Sequence, residues 1–257
     1  MPRVKKQRRK SSSAAVYVPV GILVIIILTL LGLSSFLRVT EISVTGATIY
    51  SVEEIILASG FSKGDNLLFL NTGDAQYSIQ AVLPYISEVS IETSFPDKIF
   101  ITVSESKSMA TIRHRTGLLV LDSGARVVEI IPADEQPPSG LIEIRGFTPA
   151  SADLGSRLRA DLSNETQLSY LLDMLAAVER EELESKLTYI DVSSITNITF
   201  DYTDRFRVIL DSPTNIRQNM SLLSPAMVRH EEQLAPGDFA TIYREDSTGS
   251  WRMNIER

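Results

Sequence analysis

The feature that most constrains this chain is VYVPVGILVIIILTLLGLSSFL, the 22 residues from Val16 to Leu37, set in a stretch between Lys10 and Arg38 that holds no Asp, Glu, Lys, Arg or His. At about 1.5 Å per residue such a run reaches roughly 33 Å as a helix, enough to cross a hydrocarbon core of about 30 Å. From Ile22 to Leu31 apolar side chains fall on every face, so no amphipathic period argues for a buried core helix instead. Pro19 and Gly21 sit in the first turns, where spanning helices tolerate them. The stretch reads as one transmembrane helix over 16–37. Residues 1–15 before it form a basic tail with Arg3, Lys5, Lys6, Arg8, Arg9 and Lys10. That bias keeps the N-terminus in the cytoplasm and sends everything after Arg38 across the membrane. A cleaved signal peptide would have a shorter apolar core and a small-x-small site. Gly32 and Ser34 offer only a poor one, so the span is expected to stay as an anchor.

The exported part, Val39 to Arg257, carries all 32 acidic residues and 18 of the 25 basic ones, a net charge of −14. Such a surface disfavours nucleic acid and anionic headgroups as general partners. Its 219 residues can bury a real core, as two small domains. There is no cysteine, which excludes disulfides, thiolate catalysis and Cys-ligated zinc together.

Within Val39–Gly46, VTEISVTG, Ile42 and Val44 alternate with Glu41 and Ser43, as a half-buried strand requires. Ser51 with Glu54 makes a capping box for a short helix bearing Val52, Ile55 and Ile56, and Gly60 supplies the stop. An apolar patch at Leu67–Leu70 precedes a second helix capped by Asp74, carrying Ala75, Ile79, Val82 and Leu83 and ended by Pro84. Ile86–Glu92 and Ile99–Glu105 alternate around a Phe95-Pro96-Asp97 turn and read as a hairpin. The order is strand, helix, helix, strand, strand.

From Met109 the pattern turns β-rich, with strands at Met109–His114, Leu118–Leu121 and Arg126–Ile131, a polar loop over Pro132–Gly140, and a strand at Leu141–Arg145. Ser163–Leu183 is predicted as a helix, capped by Asn164 with Gln167 and packing Leu168, Leu171, Leu172 and Leu175 inward. Strands follow at Leu187–Val192, Ile198–Tyr202 and Phe206–Leu210. A helical region within Asn215–Leu234, bearing Met220, Leu223, Met227 and Leu234, is expected to break near Pro225 and to stop at Pro236-Gly237. Phe239–Glu245 and Trp251–Ile255 finish the chain as strands. The fold class is α+β.

Enzymatic constellations are missing from the sequence. The two histidines, His114 and His230, are too few for a metal site and are expected on the surface. Ser104-x-x-Lys107 matches a serine–lysine pattern but falls at a strand end without its companion motifs. The neighbouring pairs Glu53–Glu54 and Glu231–Glu232 point to different helix faces, so neither forms an acid/base couple. No glycine-rich phosphate loop is present, and no cofactor is expected.

The order of pieces resembles the FtsQ and DivIB family of bacterial cell-division proteins. The resemblance rests on Gly46, Glu54, Gly60, Gly64 with Asn66-Leu67-Leu68, and Pro96-x-x-Ile99-x-Ile101-x-Val103-x-Glu105 leading to Ala110. It continues through Leu121-Asp122-x-x-Gly124, Leu141-Ile142-x-Ile144-x-Gly146 and Gly237 to Trp251. It implies a POTRA domain over 38–106 and an FtsQ-type β domain with terminal edge strands over 107–257. It also implies a non-enzymatic bitopic scaffold of the divisome, sited in the plasma membrane at the septum and helping to control septal wall synthesis. The implied partners are small bitopic proteins of the FtsL and FtsB/DivIC type, bound by strand addition to the last strands, with Ile242, Tyr243, Arg244 and Trp251 at the matching positions. An open sheet edge can supply such binding through its unpaired N–H and C=O groups. Two other functions remain open on sequence alone: a POTRA-bearing transport or outer-membrane assembly factor, and an anchored cell-wall enzyme.

Overall fold

The structure is a computed structural model that describes residues 14–151, 153–211, 215–235, 237–245 and 250–256. The basic run Arg3–Lys10 lies outside the described residues. The first element, helix α1, spans Ala14–Phe36, 23 residues with Pro19 near its start. Tyr17, Val18, Val20 and the apolar residues from Ile22 to Leu28 are exposed along it. Side chains in α1 are described without a break only from Tyr17 to Leu28, and among the described residues no helix is long and apolar enough to cross a membrane.

Beyond α1 the chain builds a three-stranded sheet covered by two helices. Strands β1 (Glu41–Thr45), β2 (Ile86–Ser94) and β3 (Lys98–Glu105) take the order β1-β3-β2, with β1 parallel and β2 antiparallel to β3. Helix α2 (Val52–Ser59) begins at the expected capping box, the Ser51 side chain accepting from Glu54 N–H while the Glu54 carboxylate accepts from Ser51 N–H. It ends on Gly60, whose φ of 73° is the left-handed conformation that a glycine adopts without Cβ strain. Helix α3 (Thr72–Val82) corrects one cap. Asn71 supplies the oxygen that accepts from Asp74 N–H at 3.2 Å, and Asp74 lies inside the first turn. Val82, expected on the core stripe, is exposed, whereas Ile55, Ala75, Ile79, Ile86, Ile99 and Ile101 fill the core between helices and sheet. The patch at Leu67–Leu70 opens with a 3-10 turn, Leu67–Phe69, that buries only Leu67.

A single carboxylate ties the loop before α2 to the end of β3. Glu105 accepts from Thr48 N–H at 2.9 Å, from Ile49 N–H at 3.0 Å and from Tyr50 N–H at 3.3 Å, and also from the Thr48 hydroxyl. Burial pushes this carboxyl up, but the bonds from Thr48, Ile49 and Tyr50 outweigh it and hold the group below the usual range.

The remaining strands form one nine-stranded sheet in the order β12-β11-β10-β9-β8-β7-β4-β5-β6. They are β4 (Ala110–His114), β5 (Gly117–Leu121), β6 (Val127–Ile131), β7 (Ile142–Arg145), β8 (Tyr189–Asp191), β9 (Asn197–Tyr202), β10 (Phe206–Asp211), β11 (Phe239–Glu245) and β12 (Ser250–Glu256). Helices α4 (Glu165–Arg180) and α5 (Ile216–Glu231) pack against each other and share one core with the sheet. Several expectations change here. In α4 the buried row is Leu171, Met174, Leu175 and Val178, spaced i, i+3, i+4, i+7, and Leu172 stands at its exposed flank. Asn164 makes no side-chain cap; its amide reaches Thr148 O instead. Helix α5 runs unbroken through Pro225. The lost backbone bond is offset by burial of Met220, Leu223 and Met227 on the turns around it. Neither histidine is fully exposed. His114 Nδ1 is 2.7 Å from the Thr116 hydroxyl, and His230 is partly buried on α5, where burial and then the Arg229 charge pull it below its usual range.

The two sheets meet through a short polar seam. Arg126 donates to Gln80 O at 2.5 Å, placing a positive charge at the carboxyl end of α3 where the helix dipole favours it. Gly155 lies against the same turn, so that an added Cβ would sit 3.3 Å from Gln80 O. Tyr85 donates to Glu129 at 3.1 Å from the strand side.

Glu105→Gln is expected to lower stability at neutral pH by about 1–2 kcal/mol, the range for charge-assisted bonds discounted for partial exposure. Because the native carboxyl is depressed, this contribution is present above the unfolded carboxyl pKa and fades as pH falls through the lower folded value. Urea unfolding of both forms, at pH 7 and again below the ordinary carboxylate range, should show the gap closing in acid.

Candidate functional site

Strand order decides which backbone is open. β10 and β11 are joined through α5 and pair in parallel, Phe206 opposite Ala240 and Val208 opposite Ile242. β11 pairs antiparallel with β12 on its other side, Ile242 opposite Met253 and Arg244 opposite Trp251. β11 is therefore hydrogen-bonded along both flanks, and β12 is the outermost strand. In an antiparallel pair every second residue turns its N–H and C=O away from the partner, so β12 presents a row of such groups outward.

Of the four residues expected to bind a partner, only Trp251 is on the edge strand. Ile242 is fully buried in β11 and belongs to the core. Tyr243 is 37% exposed on the opposite face, beside Arg252 in register. Arg244 shares the inner face with Ile242 and is brought against Trp251. On β12 the inner row is Trp251, Met253 and Ile255, each partly buried against the core, and the outer row of Arg252, Asn254 and Glu256 is exposed. Glu256 accepts from the Thr241 hydroxyl at 2.6 Å, which holds the end of β12 to β11.

Arg244 and Trp251 carry a further property. Arg244 Nη1 and Trp251 Nε1 are buried donors, and neither finds an acceptor among the described residues. A buried donor left in this way costs about 1–3 kcal/mol, so a carbonyl delivered to the end of β12 would be well received.

Sequence alone does not single out Met253, Ile255, Arg252, Asn254 and Glu256, which the structure places with Trp251 on the edge strand. A signal for them was present: a helix between two strands implies a parallel crossover, which seats β11 inside and leaves β12 outside. The opposite edge of the sheet is less open. Val127 of β6 donates to Ser156 O at 2.9 Å and accepts from Gly155 N–H at 2.8 Å, and Tyr85 covers β6 through Glu129. In the smaller sheet β2 is a second exposed edge, with Glu88 and Glu92 facing solvent. Among the described residues no group of three His, Cys, Asp or Glu side chains is placed to hold a metal ion.

Residues 37–106 match the family model described as a POTRA domain of FtsQ type. The chain is 26% identical over 188 residues to the cell division protein DivIB of Clostridium acetobutylicum, an alignment covering 72% of each chain. It is 22% identical over 243 residues to DivIB of Clostridium botulinum strain Loch Maree, covering 95% of this chain and 92% of that one. It is 26% identical over 139 residues to the cell division protein FtsQ of Corynebacterium glutamicum, covering 52% of this chain and 60% of the relative. The strand-helix-helix-strand-strand unit thus carries the match to a POTRA domain of FtsQ type, and the similarity to cell division proteins named DivIB extends beyond it into the nine-stranded sheet.

Proposed function

We propose that this chain is a non-enzymatic, bitopic membrane scaffold of the bacterial divisome. In this reading α1 is the anchor, the N-terminal basic tail stays in the cytoplasm, and the POTRA domain (38–106) and β domain (107–257) stand outside the plasma membrane at the septum. A strand from a small bitopic protein of the FtsL or FtsB/DivIC type adds to β12, and the complex helps to control septal wall synthesis.

The observation that carries this reading is the open β12 edge with its half-buried apolar row. An added strand extends the sheet by backbone bonds, which supply affinity without regard to sequence. Trp251, Met253 and Ile255 then call for alternating apolar residues on the inner face of the newcomer, and Arg252, Asn254 and Glu256 set the polar pattern of its outer face. Arg244 and Trp251 offer donors at the end of the strand. The anchor reading rests on the uncharged apolar run of the sequence from Val16 to Leu37 and on the exposed apolar side chains from Ile22 to Leu28 along α1.

The edge is tested by capture of division proteins from the organism's own membranes. Trp251→Ala is expected to weaken capture of the small bitopic partners by about 2 kcal/mol, roughly thirtyfold, with far-UV circular dichroism unchanged and thermal unfolding lowered by the loss of its half-buried packing. Ile242→Ala behaves differently, because it opens a cavity in a fully buried site. Its expected cost is about 2–4 kcal/mol of folding stability, read by denaturant unfolding. Undiminished capture by a folded Trp251→Ala variant removes Trp251 from the interface.

A further inference from the structure

The net acidic exported part hides one place of a different character, and it lies where the chain leaves α1. Leu37 is buried one residue past the end of α1, and its carbonyl accepts from Leu67 N–H at 2.9 Å. Arg38 and Asn66 form an antiparallel bridge, Val39 N–H donates to Asp65 O at 2.8 Å, and Gly64 N–H donates to Val39 O at 2.8 Å. The 3-10 turn Leu67–Phe69 is thus bonded to the root of the helix. Yet Leu68 is 52% and Phe69 80% exposed, and Phe36 at the end of α1 is 70% exposed. Arg38 and Lys63 are exposed around the same strip, the Arg38 guanidinium lying 3.5 Å from Gly64 O.

Large apolar side chains left exposed at a site pinned so near the end of α1, whose apolar residues from Ile22 to Leu28 are themselves exposed, call for an apolar neighbour. Phe69 is two residues beyond the one bonded to Leu37, a span of at most about 8 Å. Each headgroup layer is itself about 5–8 Å deep, the difference between a 40–45 Å bilayer and its 30 Å core shared by two faces. If α1 fills the core, the turn lies in that layer. Aromatic and aliphatic side chains flanked by Arg and Lys suit it, the rings reaching toward the acyl boundary and the cations toward lipid phosphates.

We propose that the turn Leu67–Phe69, with Phe36, Arg38 and Lys63, is a lipid-contacting foot that seats the POTRA domain on the outer surface of the membrane. The proposal rests on α1 being the anchor. The foot limits rotation and tilt of the domain about the helix end, and so sets the height and direction in which the exported sheets face their partners.

The absence of cysteine lets single labels be introduced without background. Full-length Phe69→Cys, Leu28→Cys and Leu162→Cys variants are labelled with the environment-sensitive fluorophore NBD. They are reconstituted in phosphatidylethanolamine–phosphatidylglycerol vesicles, with or without lipids carrying a nitroxide near the headgroup or deep in the acyl chain. Leu162 serves as the control because it is 90% exposed and precedes α4 in the other domain. The expected result is a blue-shifted Phe69→Cys signal quenched most by the shallow nitroxide, a Leu28→Cys signal quenched most by the deep one, and a Leu162→Cys signal unchanged by either. A quenched Leu28→Cys label with an unquenched Phe69→Cys label overturns the foot while the anchor stands. An unquenched Leu28→Cys label overturns the anchor and the foot with it.

Discussion

The parallel pairing of β10 with β11 is the constraint on which the rest of the site depends. Because α5 must return the chain across the sheet before β11 can begin, β11 enters beside β10, and the hairpin that follows places β12 outside. A direct hairpin from β10 would have made β11 antiparallel and changed which backbone faces solvent. Burial of Met220, Leu223 and Met227 holds α5 on the sheet strongly enough to carry Pro225 within the helix. The open edge is thus a consequence of core packing some distance from it.

The two sheets are stable for different local reasons and are joined by few groups. The smaller one depends on its isoleucine-rich core and on Glu105, which gathers three successive backbone amides ahead of α2. The larger one has a continuous core under α4 and α5. Between them, Arg126 at the carboxyl end of α3, Gly155 packed on the same turn and Tyr85 bonded to Glu129 form a seam that is mostly polar. A seam built on directional bonds fixes an angle between domains more than it adds to their stability. That angle sets where β12 is presented relative to the smaller sheet.

Much of this was legible in the sequence where the signal is local. Ser51 with Glu54, and Gly60, mark both ends of α2 because the groups that bond are three residues apart or adjacent. The β2–β3 pair was readable because alternation and a turn residue suffice for a hairpin. What failed was non-local or ambiguous within a turn. Asn71 and Asp74 are both good caps, and only the course of the preceding turn selects Asn71. The stripe of α4 slipped because its leucines offer two overlapping rows, and tertiary contact chose the one containing Met174 and Val178. Pro225 signals a break on local propensity alone, which carries no information on what surrounding burial can offset. Alternation located β11 and β12 but not their order in the sheet, so three of the four residues first assigned to the edge stand one strand inside it.

The measurement that bears most directly on the scaffold reading is amide hydrogen exchange on the full chain in lipid nanodiscs, alone and with the proposed small bitopic proteins of the FtsL and FtsB/DivIC type. Strand addition predicts that alternate amides of Ser250–Glu256 slow sharply on complex formation, those of β11 change little, and the edges β2 and β6 exchange as before. Protection that falls on β2 or β6 and leaves β12 unaltered would contradict binding at this edge.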